Sequence, residues 1–145
     1  MKWGLLAIIA CAIAVGVLVW RGQALTKRAT QLYPPIGQFV EIDGVRLHYT
    51  DQGSGQAIVL IHGASGNLRD FAFDLAPELA KSHRVIAFDR PGLGYSERAT
   101  PAYDNIWTSQ AESPQEQAAL LIAATRALGV KQPIVVGHSF GGAVA

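Results

Sequence analysis

Hydrophobic positions follow two different rules along this chain. Residues 3–20 contain no charge, and as one continuous helix they would rise roughly 27 Å, close to the thickness of a bilayer core. Trp3 and Trp20 close the run at both ends, as interfacial aromatics do, while Lys2 on one flank and Arg21, Lys27 and Arg28 on the other can reach headgroups. Residues 1–21 therefore read as a transmembrane anchor. A cleaved signal peptide is the rival, because Gly22 and Ala24 loosely meet the small-residue rule. Against it, the apolar run exceeds the usual signal core and Arg21 sits inside the cleavage site. Lipidation at Cys11 is disfavoured by the apolar sequence that continues beyond it. The cations after the span outnumber Lys2 and the terminal amine, which favours a cytoplasmic domain on a single-pass anchor, as in a bacterial inner membrane. Residues 22–36 read as a polar linker in which Pro34 and Pro35 forbid a continuous helix into the domain at 37–145.

Beyond the linker the apolar runs shorten and alternate between two periods. Residues 39–42 and 45–49 are β-prone and separated by Asp43 and Gly44, which suits a tight type I′ hairpin. Residues 57–61 form a continuous apolar run, as expected of a parallel strand covered on both faces. Asn67 can cap a following helix with Leu68, Phe71, Leu75 and Leu79 at helical spacing, broken near Ala76 by Pro77. Residues 84–88 are a second buried strand, and 95–112 show no clear periodicity. Ser113, Pro114 and Glu116 mark a strong helix start. Leu121, Ala124 and Leu128 continue it, the 120–122 run faces the core, and Gly129 closes it. Residues 134–136 are a third parallel strand. Strand, helix, strand repeated in this way specifies an α/β fold, a layered and mostly parallel sheet with flanking helices.

Composition narrows the function. Twelve Lys and Arg against eleven Asp and Glu leave a formal charge of +1 with no like-charge run, which argues against nucleic acid as a partner. The single cysteine, Cys11, excludes an internal disulfide and a Cys-based zinc cluster. Of the 15 glycines, Gly63, Gly66, Gly92, Gly94, Gly137, Gly141 and Gly142 fall in three loops that follow candidate strands. There the backbone must turn sharply or approach a ligand.

One of those loops carries recognisable chemistry. Gly137-His138-Ser139-Phe140-Gly141 leaves a strand and opens a helix, where a nucleophile elbow lies. A strained backbone at Ser139 would lift its hydroxyl above the sheet, with Gly137 and Gly141 bare because side chains there would collide. Acyl transfer places negative charge on a carbonyl oxygen, commonly met by two backbone amides. Phe140 can supply one at the amino end of a helix, and the loop His62-Gly63-Ala64-Ser65-Gly66-Asn67 is placed to supply the other from Ala64. His62 pins that loop more readily than it moves protons. His138 points away from the Ser139 hydroxyl, and His48 and His83 read as surface or strand-end residues. Asp89 holds its own loop through backbone amides.

Together with Asp89-Arg90-Pro91-Gly92-Leu93-Gly94-Tyr95-Ser96, these loops make the chain resemble the amino-terminal portion of the α/β-hydrolase superfamily, and its bacterial esterase, lipase and haloperoxidase-like branch in particular. The resemblance covers residues 39–145. It implies Ser139 as nucleophile, no metal or organic cofactor, and a small-molecule ester substrate, a lipophilic one if residues 3–20 hold the site against membrane lipid. Serine rather than aspartate at the elbow disfavours the dehalogenase and epoxide-hydrolase branches. In that family the triad acid and histidine follow the nucleophile, whereas Phe140 to Ala145 contain neither. A serine without its base is a poor nucleophile, so the expectation is a nearly inert amino-terminal half of a longer hydrolase. The strand at 134–136 is then an unpaired apolar edge. Carbon–carbon bond hydrolysis or perhydrolysis on the same scaffold, and a noncatalytic interaction protein, are the alternatives.

Overall fold

The amino-terminal apolar run is a single helix, α1 (Lys2–Leu32), in the computed structural model, which describes residues 2–104 and 107–145. It continues well past Arg21, so residues 22–32 of the segment read as a polar linker are helical. Gln23, Ala24, Leu25, Lys27, Arg28 and Ala29 are good helix formers, and nothing interrupts them before Pro34. The Thr26 and Thr30 hydroxyls donate back to the Gly22 and Thr26 carbonyls at 3.1 and 3.0 Å. Within α1, Leu6–Leu32 is long and apolar enough to cross a membrane by length and composition. The chain divides between Pro35 and Ile36, and the second unit is Ile36–Ala145.

That second unit is built on one five-stranded sheet of order β1-β2-β4-β3-β5. β1 (Gln38–Ile42) and β2 (Val45–Gly53) form the expected hairpin, closed by Asp43 and Gly44 at φ 50° and 81°. β3 (Ala57–Ile61), β4 (Arg84–Phe88) and β5 (Ile134–Gly137) are mutually parallel. The sheet is nevertheless mixed and not mostly parallel. β2 runs beyond Tyr49 to Gly53 and pairs antiparallel with β4 as well as with β1, so two of the four pairings are antiparallel.

Strand alternation feeds two cores, one on each face. Val59, Ile61, Ile86 and Phe88 pack with Leu47, Leu121, Ala124, Val130 and Val144. Ile58, Leu60, Val85 and Ala87 pack with Leu68, Phe71 and Ala76. This two-sided burial explains the unbroken apolar runs of β3 and β4.

The helix expected after Asn67 is two short ones, α2 (Arg69–Ala72) and α3 (Leu75–Leu79). The break falls at Phe73 and Asp74, before Pro77. Pro77 lies in the first turn of α3, where an amide would have no helical partner, so it starts the helix instead of interrupting it. Asn67 does not cap α2; its Oδ1 accepts from the Arg69 amide at 2.9 Å, an Asx turn. α4 (Pro114–Ala127) begins with the complete Ser113–Glu116 capping box. Leu121 of its apolar run is buried, but Ile122 is 51% exposed, correcting the expectation that the whole run faces the core.

Between residues 95 and 112 the described chain contains only a short 3₁₀ turn, Pro101–Asp104; residues 105 and 106 of that stretch lie outside the described residues. β5 pairs only with β3 and leaves Ile134, Val135 and Val136 exposed at the sheet edge. Beside it, Leu121, Ile122, Val135 and Val144 line an open apolar hollow of about 300 Å³.

Candidate active site

Parallel pairing puts three loops side by side. Ile61 is in register with Phe88 on one side and with Gly137 on the other, so the chains leaving β4, β3 and β5 emerge together at the carboxyl edge of the sheet. That is where open α/β sheets hold their ligands.

Ser139 stands at the turn out of β5 with φ 51°, a left-handed conformation that costs a residue with a side chain on the order of 1 kcal/mol. The turn is held by its neighbours. The His138 amide donates to the Ile61 carbonyl at 2.9 Å, and the Gly141 and Gly142 amides donate to His138 and Ser139 carbonyls at 2.8 and 2.9 Å. A Cβ at Gly137 would fall 2.3 Å from the Gly141 carbonyl oxygen, and one at Gly141 would fall 2.2 Å from that of Ile61. Both positions therefore exclude any side chain. Gly142 differs: its nearest neighbour to a Cβ would be 3.8 Å away, so it does not shape the turn sterically. Ser139 is solvent-exposed, as is the neighbouring His138. The helix that follows, α5 (Gly141–Val144), has only four residues, so its dipole contributes little at Phe140.

The loop after β3 packs directly on this turn. A Cβ at Gly63 would lie 3.2 Å from Ser139 Cβ and 3.1 Å from His138 Nδ1. A Cβ at Gly66 would strike only the movable carboxylate of Asp70. His62 is fully buried and accepts the Arg90 amide on Nε2 at 2.9 Å, so its proton resides on Nδ1, which donates to the Gly63 carbonyl at 2.9 Å. Burial pushes this ring below the usual histidine pKa. With both nitrogens committed, the His62 ring ties the loop after β3 to the Arg90 amide. The backbone amides of Ala64 and Phe140 enter none of the hydrogen bonds among the described residues, and both residues are exposed.

The third loop is governed by Asp89. Its carboxylate accepts from His48 Nδ1 at 2.8 Å and from the Leu68 and Tyr95 amides at 2.7 and 2.8 Å. Burial alone would raise this carboxyl. The His48 ring and the two amides outweigh that and hold it below the ordinary range. Asp89 thus holds its loop through amides, as expected. His48 is not a surface residue: it is 2% exposed and joined to Asp89. The expectation failed because a hairpin strand usually shows one face to water, whereas residues 47–50 of β2 are buried on both. His83 is half-buried, and its ring bonds to the Ser82 hydroxyl and not to this network.

Arg90, the next residue, is also closed to solvent. Its guanidinium donates to Gln117 Oε1 at 2.8 Å and to the Gly63 carbonyl at 2.9 Å, and it lies 4.9 Å from the centre of the Phe140 ring. Among the described residues, no three His, Cys, Asp or Glu side chains converge as metal ligands would.

A profile of the alpha/beta hydrolase fold matches residues 56–145, from β3 through the elbow to α5. The chain belongs to the alpha/beta hydrolase family. It is 37% identical over 121 residues to 2-hydroxymuconate semialdehyde hydrolase of Pseudomonas sp. (strain CF600), covering 81% of this chain and 39% of the relative. It is 35% identical over 104 residues to a soluble epoxide hydrolase of Corynebacterium sp. (strain C12), covering 72% and 33%. Among solved structures, Est816, described as an N-acyl homoserine lactone degrading enzyme, matches with 32% identity and a TM-score of 0.60 over 74% of this chain and 38% of that one. The chain thus spans well under half the length of the hydrolases it matches.

Proposed function

We propose that this chain is the nucleophile-bearing part of a serine hydrolase that cleaves a carboxylic ester or related acyl substrate through an acyl-enzyme on Ser139. The observation that carries the reading is Ser139 itself: an exposed hydroxyl-bearing residue at φ 51° between two glycines that cannot accept a Cβ. Such strain persists only where surrounding structure imposes it, and it serves attack by a displayed side chain.

In the proposed cycle Ser139 Oγ attacks the substrate carbonyl carbon. The carbonyl oxygen becomes an oxyanion held by the amides of Ala64 and Phe140, and a base takes the hydroxyl proton and returns it to the leaving group. Water then hydrolyses the acyl-enzyme. His48 and His62 already have both ring nitrogens engaged, and because in this family the acid and the histidine follow the nucleophile in chain order, we assign the base and its acidic partner to residues beyond 145. The membrane-competent helix supports an anchored enzyme with a lipophilic substrate; a cleaved signal is the competing reading of that segment.

The 37% identity to 2-hydroxymuconate semialdehyde hydrolase favours carbon–carbon bond hydrolysis as a second reading. The likeness to Est816, which degrades an acylated lactone, favours the ester reading. The epoxide-hydrolase likeness weighs less, because position 139 is serine. A fluorophosphonate probe applied to the complete gene product tests the nucleophile: it labels Ser139 and fails on Ser139→Ala, whereas silence favours a noncatalytic scaffold. Turnover of a short p-nitrophenyl ester against a dienoic semialdehyde then separates the two chemistries.

A further inference from the structure

Resting on that reading, we infer that Arg90 is a positioning residue for the oxyanion site, acting on both proposed donors. The peptide bond is planar. The Gly63 carbonyl and the Ala64 amide belong to one trans peptide unit, so they point in opposite directions. The carbonyl is gripped from the protein side by Arg90 Nη2 at 2.9 Å and by His62 Nδ1 at 2.9 Å, with the Gly66 amide more distant at 3.4 Å. Fixing that oxygen fixes the opposite face of the unit, and the Ala64 N–H is directed outward, where no group among the described residues accepts it. A cation on the carbonyl oxygen also draws electron density from the amide, making its N–H a stronger donor.

The same guanidinium reaches the second donor residue. It lies 4.9 Å from the Phe140 ring centroid, within cation–π range. The other terminal nitrogen, Arg90 Nη1, donates to Gln117 Oε1 of α4 at 2.8 Å, and Gln117 is itself held by donating to the Glu112 carbonyl at 3.0 Å.

Arg90 is 3% exposed, and among the described residues no carboxylate is bonded to its guanidinium and its Nε lacks a partner. Burying a cation on such terms is costly. A residue kept only for packing would do better as an apolar side chain. The arrangement is accounted for by what the guanidinium does to the Gly63 carbonyl and the Phe140 ring.

The test uses the full-length protein with Arg90 and its Arg90→Met and Arg90→Lys variants. Thermal melts and active-site titration measure the folded, reactive fraction separately from rate. Reaction with a fluorophosphonate and inhibition by a boronic acid both build a tetrahedral, anion-like adduct, whereas KM for a neutral ester reports ground-state binding. We expect Arg90→Met to slow kcat and the fluorophosphonate reaction per titrated site roughly 10- to 100-fold, somewhat less than outright loss of an oxyanion donor. Boronic acid affinity falls in parallel while KM changes less than about twofold, and Arg90→Lys recovers part of the loss. Equal rates per titrated site in all three proteins would overturn the inference while leaving Ser139 as nucleophile. A wild-type protein that never labels at Ser139 would defeat the underlying reading and this inference with it.

Discussion

His48 Nδ1 donates to Asp89 Oδ2 across 2.8 Å, tying β2 to the carboxyl end of β4 at a point where both side chains are about 2% exposed. The other ring nitrogen, Nε2, accepts from the Gly37 amide at 3.1 Å. The His48 ring is therefore held in one tautomer from both sides. Because Asp89 also holds the amides of Leu68 and Tyr95, a single carboxylate connects the hairpin, the start of α2 and the loop of Gly92 and Gly94.

This network should give stability a specific acid dependence. The folded Asp89 carboxyl lies below its ordinary value, so in the acid range the unfolded state binds the proton more tightly. The contribution is complete above the unfolded carboxylate range, near about pH 5 and higher, and is lost as pH falls through the unfolded and then the folded pKa. Urea denaturation of the full-length protein between about pH 6 and 3 should show this slope. Asp89→Asn should remove that part of it and cost about 3 kcal/mol at neutral pH, since the amide sets a donor against the His48 and Tyr95 donors. Parallel pH profiles for wild type and variant would contradict the assignment.

Backbone strain at Ser139 separates function from stability. Ser139→Ala removes the hydroxyl but keeps a Cβ at φ 51°, so it should abolish fluorophosphonate labelling and leave the melting behaviour unchanged. Ser139→Gly also abolishes labelling but relaxes the turn, and should be more stable than Ser139→Ala by about 1 kcal/mol. A glycine variant no more stable than the alanine one would show that the turn is not strained.

The elements that carried their own local signal were legible in the sequence. The Asp43-Gly44 turn, the Ser113 capping box and the apolar runs 57–61 and 85–88 each rest on neighbours within a few residues. So does the sharp turn at Ser139, because a glycine two positions to either side of it after a strand is a local arrangement. What could not be seen depends on contacts far apart in the chain. The second pairing of β2 with β4 makes the sheet mixed and buries His48 41 residues away from its partner. Arg90 looks like one more loop cation until it is set beside Gly63 and Gln117, each 27 residues distant. The helicity of residues 22–32 is not read from their polarity; it follows from helix propensity without a breaker, which continues α1.

Leu6–Leu32 should keep the full-length protein in the membrane fraction through an alkaline carbonate wash. An arginine near the middle of a span costs roughly 3 kcal/mol, so Ala14→Arg combined with Val17→Arg should release it. Intact-mass measurement on the purified protein should find residues 3–20 still attached. A mature protein that begins just after Ala24 would instead establish the segment as a cleaved signal.

The three glycines around the elbow should respond unequally to alanine, because their surroundings differ. At Gly141 the new Cβ would sit 2.2 Å from the Ile61 carbonyl oxygen and 2.6 Å from that of His62. These are backbone atoms of a buried strand end that cannot move aside without breaking the β3–β5 pairing. At Gly137 the obstruction is the backbone of Gly141 and Gly142 at 2.3 and 2.5 Å, so relief requires the turn to open. Either substitution should cost about 3 kcal/mol or more, by analogy with other overpacked or strained sites, and should eliminate labelling of Ser139. Gly142→Ala has 3.8 Å of clearance and gains helix propensity inside α5, so it should be neutral to slightly stabilising and should label at the wild-type rate. Chemical denaturation and probe kinetics on the three variants check this ordering. A Gly142→Ala as damaging as Gly141→Ala would mean that the elbow is held by something other than the close backbone approach described.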